Sequence, residues 1–211
     1  MTRGRFVVGL TGGIGTGKSS VLAEFERLGA ATISLDQLAR EQARPGRDGW
    51  SAIVCAFGRG ILDRSGRIDR RALGIVVFRD PAARRRLERA THPLILKEMT
   101  RLISRLTGLV VVDVPLLFEK GLERHFDVTV LVSCRVSTQA RRVIRRDGMS
   151  AAEVRRRMSA QWPTARKKAL ADFTISNDGT LAQLRAGVKS LHAVLTLFYG
   201  GMTNGNADQL A

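Results

Sequence analysis

Aromatic side chains make up only 5% of this chain, and its cysteines number two, Cys55 and Cys134. The cysteines stand far apart with no C-x-x-C or Cys/His spacing, so they predict neither a disulfide nor a zinc site and read as reduced cytosolic thiols. So few aromatics leave no base-stacking platform of the kind that single-stranded nucleic-acid binders use. No run of ~18 apolar residues is present, which argues against a membrane-spanning helix. The opening Met1-Thr-Arg-Gly-Arg-Phe runs into a strand pattern rather than the apolar region of a signal peptide, so a cytoplasmic, unexported protein is expected. Acidic residues are also short: 19 Asp and Glu stand against 35 Lys and Arg, a formal net charge of +16. Such a balance attracts polyanions, either nucleic acid or phosphorylated small molecules. Most of the excess is arginine, whose planar fork matches phosphate oxygens, though many of these arginines read simply as a solvated basic face. A nucleic-acid reading rests on charge alone.

What is present is a chain of 211 residues, 44% apolar, long enough for one domain with insertions. Short β-branched runs alternate with helical patterns: Phe6-Val7-Val8-Gly9-Leu10, Ala31-Thr32-Ile33, residues 109–112, residues 128–132 and Phe173-Thr174-Ile175. Unbroken apolar runs of this length suit strands buried on both faces of a parallel sheet. A helix from Ser19 to Leu28, stopped by Gly29, follows the first run. Residues 34–108 separate the second and third runs and are mostly helical, far more chain than a crossover needs. Asp80-Pro81 can start the long helical pattern that runs toward Leu106. The stretch after Tyr199 is polar and Gly-rich, and the tail 201–211 is expected to fray.

The strongest chemical signal is Gly12-Gly13-Ile14-Gly15-Thr16-Gly17-Lys18-Ser19, which satisfies G-x-x-x-x-G-K-[ST] between a predicted strand and a predicted helix. Glycines let successive N–H groups curl around phosphate oxygens, and the helix N-terminus adds positive potential. Lys18 then bridges the β- and γ-phosphates, and the Ser19 hydroxyl is a Mg²⁺ ligand. The guanine-reading N-K-x-D is absent. Asp113, closing the run 110–112, is either a carboxylate that helps hold Mg²⁺ or an ordinary strand-end Asp. Asp36, just past the second strand, lies at the sheet edge where ligands bind in open α/β folds. It either handles the proton of an acceptor hydroxyl or caps the helix beginning Gln37-Leu38-Ala39, and read alone the cap is the simpler choice. Arg142 and Arg146, four residues apart on a predicted helix, project from one face and are candidates to clamp a phosphate chain.

These blocks together resemble the dephospho-coenzyme A kinases. Gly9-Leu-Thr-Gly-Gly-Ile-Gly-Thr-Gly-Lys-Ser-Ser20 is similar to that family's GLTGGIGSGKST loop. Leu35-Asp36-Gln37-Leu38-Ala39-Arg40 resembles its D-A-D-x-x-A-R segment, with Ser34 in place of the first Asp. Ile68-Asp69-Arg70-Arg71, Val77-Phe78, Leu87-Glu88 and His92-Pro93-Leu94-Ile95 resemble its central helical domain. Val114-Pro115-Leu116-Leu117-Phe118-Glu119 resembles the exit of its third strand. Arg142 to Asp147 resembles R-x-x-x-R-[DN], Arg157 to Gln161 resembles R-x-x-x-Q, and residues 171–179 resemble the D-x-V-I-x-N-x-G turn near the adenine of ATP.

The resemblance implies ATP-dependent phosphorylation of the ribose 3′-hydroxyl of dephospho-coenzyme A, the last step of coenzyme A synthesis, with ATP and Mg²⁺. It raises Asp36 from helix cap to catalytic carboxylate beside Lys18, Arg142 and Arg146. ATP contacts are expected from Gly13, Ile14, Gly15, Thr16, Gly17, Lys18, Ser19, Ser20, Asn177 and Gly179, and acceptor contacts from Asp36, Arg70, His92 and Leu116. Ser19 and Asp113 are the metal candidates. The implied architecture is a three-layer α/β P-loop kinase spanning 5–200, with strand order 2-3-1-4-5. Its core is 5–36, 107–137 and 171–200, its inserted helical substrate domain 37–106 and its lid 138–170. A monomer without a specific nucleic-acid or membrane partner is expected. The alternatives are a P-loop kinase of another small nucleotide-like acceptor, or a silent nucleotide- or RNA-binding protein on the same fold.

Overall fold

The computed structural model describes residues 4–204. In chain order these form β1 (Arg5–Thr11), α1 (Lys18–Arg27), β2 (Ala31–Ser34), α2 (Leu35–Gln42), α3 (Asp48–Phe57), α4 (Arg70–Arg79) and α5 (Pro81–Ile103). There follow β3 (Gly108–Asp113), β4 (Val128–Ser133), α6 (Val136–Asp147), α7 (Ala151–Ser159), α8 (Thr164–Lys168), β5 (Phe173–Ser176) and α9 (Leu181–Asn204). The described residues divide into two compact units, one made of 4–33 and 106–204, the other of Ser34–Arg105.

The first unit is built on a five-stranded sheet in the order β2-β3-β1-β4-β5. Residues 6–11 of β1 are all buried, as a central strand covered on both faces requires. Its neighbours run parallel to it, with Val8 opposite Val111 on one side and Leu10 opposite Val130 on the other. β5 extends the same parallel ladder through Leu131 opposite Thr174. Phe6, Val8, Leu10, Val111, Val130 and Val132 meet Val21 and Phe25 of α1 and Leu184, Val188 and Leu195 of α9 in one core. A fully buried Phe25 alone is worth about 1.5–3 kcal/mol of transfer free energy. Gly9 is required by close approach, because a Cβ there would lie 2.7 Å from Leu117 Cδ1 and Phe126 Cδ2. β1 and β3 end level, with Leu10 paired to Asp113, so the loop after β1 and the Asp113 carboxylate leave the same edge.

The second unit is helical. α5 packs along α2, α3 and α4, and the small core joins Ile53, Ile61 and Leu73 to Phe57, Ile68, Val77 and Leu87. Its helix starts follow local rules: Asp69 accepts N–H bonds from Arg71 and Ala72, and Asp80 accepts one from Ala82 just ahead of Pro81 at the first helical position. Two details differ from the sequence reading. The unit takes in Ser34 to Arg105, and α9 continues as helix through residues 201–204 where a frayed tail was expected. Residues 205–211 of that tail lie outside the described residues.

Candidate active site around the phosphate loop

The loop between β1 and α1 is shaped by two glycines in left-handed conformation, Gly15 (φ 75°) and Gly17 (φ 90°). Gly17 caps α1, and among the described residues no side chain fills that cap and no acidic residue sits in the first turn. The helix end therefore keeps its N–H groups and its positive potential for an anion. Thr16 is buried at 1% exposure, and its Oγ1 donates to the Gly13 carbonyl at 2.9 Å. The Thr16 hydroxyl thus closes the loop on itself. Lys18 Nζ donates to the Gly12 carbonyl at 3.0 Å, which keeps the ammonium folded along the loop. Ser19 and Ser20 stand exposed at the start of α1.

Asn177, at the end of β5, is buried and locks this loop in place. Its Nδ2 donates to the Thr16 carbonyl at 2.7 Å, and its backbone N–H donates to Ser133 at 2.7 Å. Arg142, from α6, donates through Nη2 to the Asn177 carbonyl at 3.0 Å, and its Nη1 lies 3.8 Å from Cys134 Sγ. Burial pushes the Cys134 thiol above its ordinary pKa, with the Arg142 charge opposing. Arg146 has a different partner from Arg142. It pairs with Asp147 at 2.7 Å in an exposed position and holds that carboxyl below its usual pKa through the hydrogen bond. Gly179 lies in the turn before α9, where Thr180 and Gln183 exchange capping hydrogen bonds.

For a metal, the donors available are the exposed Ser19 hydroxyl and Asp113 at the adjoining strand end. Among the described residues no group of three or more His, Cys, Asp or Glu could hold an ion by itself. That donor set fits Mg²⁺, which binds through one or two protein oxygens together with phosphate oxygens and water. Leu116 is half-buried just after β3. In the helical unit, Arg70 is exposed at the start of α4 and His92 is half-buried on α5. Asp36 is exposed in the first turn of α2, and it is not the cap. Ser34 is: its Oγ accepts the Gln37 N–H at 3.4 Å. The simplest sequence reading of Asp36 is thereby corrected, since the short hydroxyl two residues earlier already reaches the N3 position that a capping group serves.

The family model described as Dephospho-CoA kinase matches residues 6–183. A dephospho-CoA kinase of Geobacillus kaustophilus is 43% identical over 182 residues, covering 84% of this chain and 90% of that protein. One of Geobacter sulfurreducens is 44% identical over 191 residues, covering 89% and 97%. The chain belongs to the dephospho-CoA kinase family. It is therefore a kinase, with ATP as phosphoryl donor. A crystal structure from Thermus thermophilus is 37% identical and superposes with a TM-score of 0.80 over 91% of this chain and 98% of that one. A shikimate kinase from Acinetobacter baumannii, 17% identical with a TM-score of 0.53 over 92% and 95%, shares the P-loop kinase fold alone.

Several residues of this kinase were not singled out by the sequence. Lys167 on α8 is only 1% exposed, and its Nζ lies 2.7 Å from Glu119 Oε1. It sits within Arg166-Lys167-Lys168, a run that reads as a solvated charged face, and no local signal marks the middle residue as buried. Gln139 is buried on α6, donating to the Cys134 carbonyl at 3.0 Å, with its Oε1 close to Gly13. Gln161, visible in the sequence only through R-x-x-x-Q, accepts the Ile14 N–H at 2.9 Å. A cleft of about 780 Å³ beside the loop is lined by Gly13, Gln139, Arg155, Arg156, Trp162 and Lys167, among others. No helix among the described residues is long and apolar enough to cross a membrane.

Proposed function

We propose that this kinase transfers the γ-phosphoryl group of ATP to the ribose 3′-hydroxyl of dephospho-CoA, giving CoA and ADP. The observation that carries the reading is the preformed phosphate loop: an uncapped helix end, left-handed glycines and Lys18 along one short segment. In the transfer, the acceptor oxygen forms a bond to the γ-phosphorus while the bond to the β–γ bridging oxygen breaks, and ADP leaves. Lys18 and the loop N–H groups stabilise the charge spread over the equatorial oxygens. Arg142 is suited to the nucleotide by its position against Asn177 beside the loop. Arg146 joins the phosphates only by exchanging Asp147 for them. When bound, Mg²⁺ would neutralise phosphate charge, and Ser19 and Asp113 are the residues that would hold it.

Asp36 takes the hydroxyl proton or orients the hydroxyl. Its support is that Ser34 already caps α2, which leaves the Asp36 carboxylate exposed and without a capping task. Asp36→Asn should lower single-turnover phosphorylation roughly 10²–10⁴-fold, the usual range for general acid–base catalysis, at unchanged melting temperature. A wild-type rate in the folded variant returns Asp36 to a bystander. The helical unit 34–105, with Arg70 and His92, binds the acceptor, and the segment 138–170 serves as the lid. The enzyme acts in the cytoplasm as a monomer. The deciding experiment is an acceptor panel with ATP and Mg²⁺, comparing dephospho-CoA with AMP, adenosine, shikimate and pantothenate. Preference for any other acceptor overturns the reading.

A further inference from the structure

The stretch from the end of α7 into α8 is held to the rest of its unit by polar contacts from Gln161, Trp162 and Lys167, and these converge on two places. Gln161 Oε1 accepts the N–H of Ile14 in the phosphate loop at 2.9 Å, across 147 positions of sequence. The next residue, Trp162, donates its backbone N–H to Glu119 Oε1 at 3.0 Å. Lys167 Nζ lies 2.7 Å from that same oxygen, with side-chain exposures of 1% for the lysine and 9% for the glutamate. Glu119 itself stands in the short helical turn Phe118–Lys120, which follows β3 in the chain. Arg166 lies over the Trp162 ring at 3.4 Å from its centroid.

A buried ion pair is poor value as stabilisation, because desolvating both charges costs about what their attraction returns. Here, among the described residues, neither the second carboxylate oxygen, Oε2, nor Lys167 Nζ has a partner in hydrogen-bond geometry, a further cost. What the arrangement does achieve is geometric. Glu119 can accept the Trp162 N–H deep in the protein only because Lys167 neutralises it, and fixing Trp162 aims the adjacent Gln161 side chain at the loop. The loop side is closely fitted as well: a Cβ on Gly13 would meet Gln139 Oε1 at 3.1 Å and Gln161 Oε1 at 3.4 Å, so the two amides lie against the first half of the loop with little room for a side chain there. The Ile14 N–H expected to face ATP is thus held by the protein, and the curvature of the following residues is set from outside the loop.

We propose that Gln161 is a positioning residue for the phosphate loop, aimed by the buried Glu119–Lys167 pair, and that it holds the Ile14 amide while nucleotide is bound. The inference rests on ATP being the ligand of this loop, and part of its test is independent of that reading. The first measurement is hydrogen exchange of the loop peptide in the nucleotide-free enzyme. Gln161→Met keeps length and removes the acceptor. Glu119→Leu combined with Lys167→Met removes both charges and the acceptor of the Trp162 N–H together, so no lone buried charge is left to unfold the protein. Both changes should speed exchange at Ile14.

The second measurement is ATP binding by calorimetry. Each change should weaken ATP about 3–10-fold, the equivalent of one hydrogen bond, and the triple variant should be no weaker than either. A merely structural pair would lower the melting temperature without altering loop exchange or ATP affinity. Unchanged exchange in Gln161→Met overturns the tether. Faster exchange with unchanged ATP affinity overturns its positioning role, and additive losses in the triple variant overturn the link between the pair and Gln161. Failure of the wild type to phosphorylate dephospho-CoA would be a separate result, against the function and not against the tether.

Discussion

The phosphate loop and the α6–α8 segment meet where Gln161 accepts the Ile14 N–H, but they are organised in opposite ways. In the loop, the groups that matter are neighbours in sequence: Gly15 and Gly17 bend the backbone, Thr16 closes it onto Gly13, and Lys18 opens α1. In the α6–α8 segment, the groups that matter are scattered among many arginines and are distinguished only by what they touch. Arg142 reaches Asn177, Arg146 turns to Asp147, Gln161 reaches Ile14 and Lys167 is buried against Glu119. A motif is readable where chemistry depends on local backbone shape. A row of like side chains is not, because burial and partners decide which member acts.

Changing the local element should have the largest effect. Lys18→Ala is expected to lower single-turnover phosphorylation by roughly 10²–10³-fold, the usual loss for one group that stabilises developing charge. Melting should stay unchanged, since the Lys18 side chain lies along the loop and outside the core cluster. Near-normal turnover in the folded variant would remove the loop from the chemistry. Gly17→Ala should come next: φ at this position is 90°, and an added Cβ would collide with Asn177 Nδ2. A loss of about 1–3 kcal/mol in stability is expected from that strain, together with weakened ATP binding, and denaturant unfolding checks it. Wild-type stability would mean that the loop adopts another shape and that the contrast between the two regions is overstated.

The scattered element should respond unequally. Arg142→Ala removes charged hydrogen bonds beside the loop and is expected to weaken ATP binding about 10–100-fold. Arg146→Ala should change stability by no more than about 0.5 kcal/mol, as exposed pairs do, and ATP binding less than Arg142→Ala does. Equal losses in ATP affinity would show that Arg146 leaves Asp147 in the nucleotide complex, which sharpens the lid assignment.

The strands were legible because each is a short unbroken apolar run, and all five appear within a residue or two of the expected bounds. The long helix from Asp80-Pro81 was legible through its cap. The cap of α2 was not: Asp36 and Ser34 both suit that role, and only the helix start at Leu35 decides for Ser34. The equal treatment of Arg142 and Arg146 followed from i, i+4 spacing, which shares a helix face but says nothing of what lies opposite each residue.

By itself, then, the sequence determined the parallel-sheet class, the loop that cradles phosphate and the family, because these depend on residue order over a few positions and on ordered motifs. Tertiary structure alone decided that Thr16 closes the loop, that Lys167 is the buried member of a basic run and that Gln161 holds Ile14. Those roles arise from partners 3 to 147 positions away, and for the distant ones a contact exists only after the sheet and helices have brought the segments together. Burial then separates side chains of the same type: a lysine in water is screened and interchangeable, whereas one excluded from water must find a specific counter-charge.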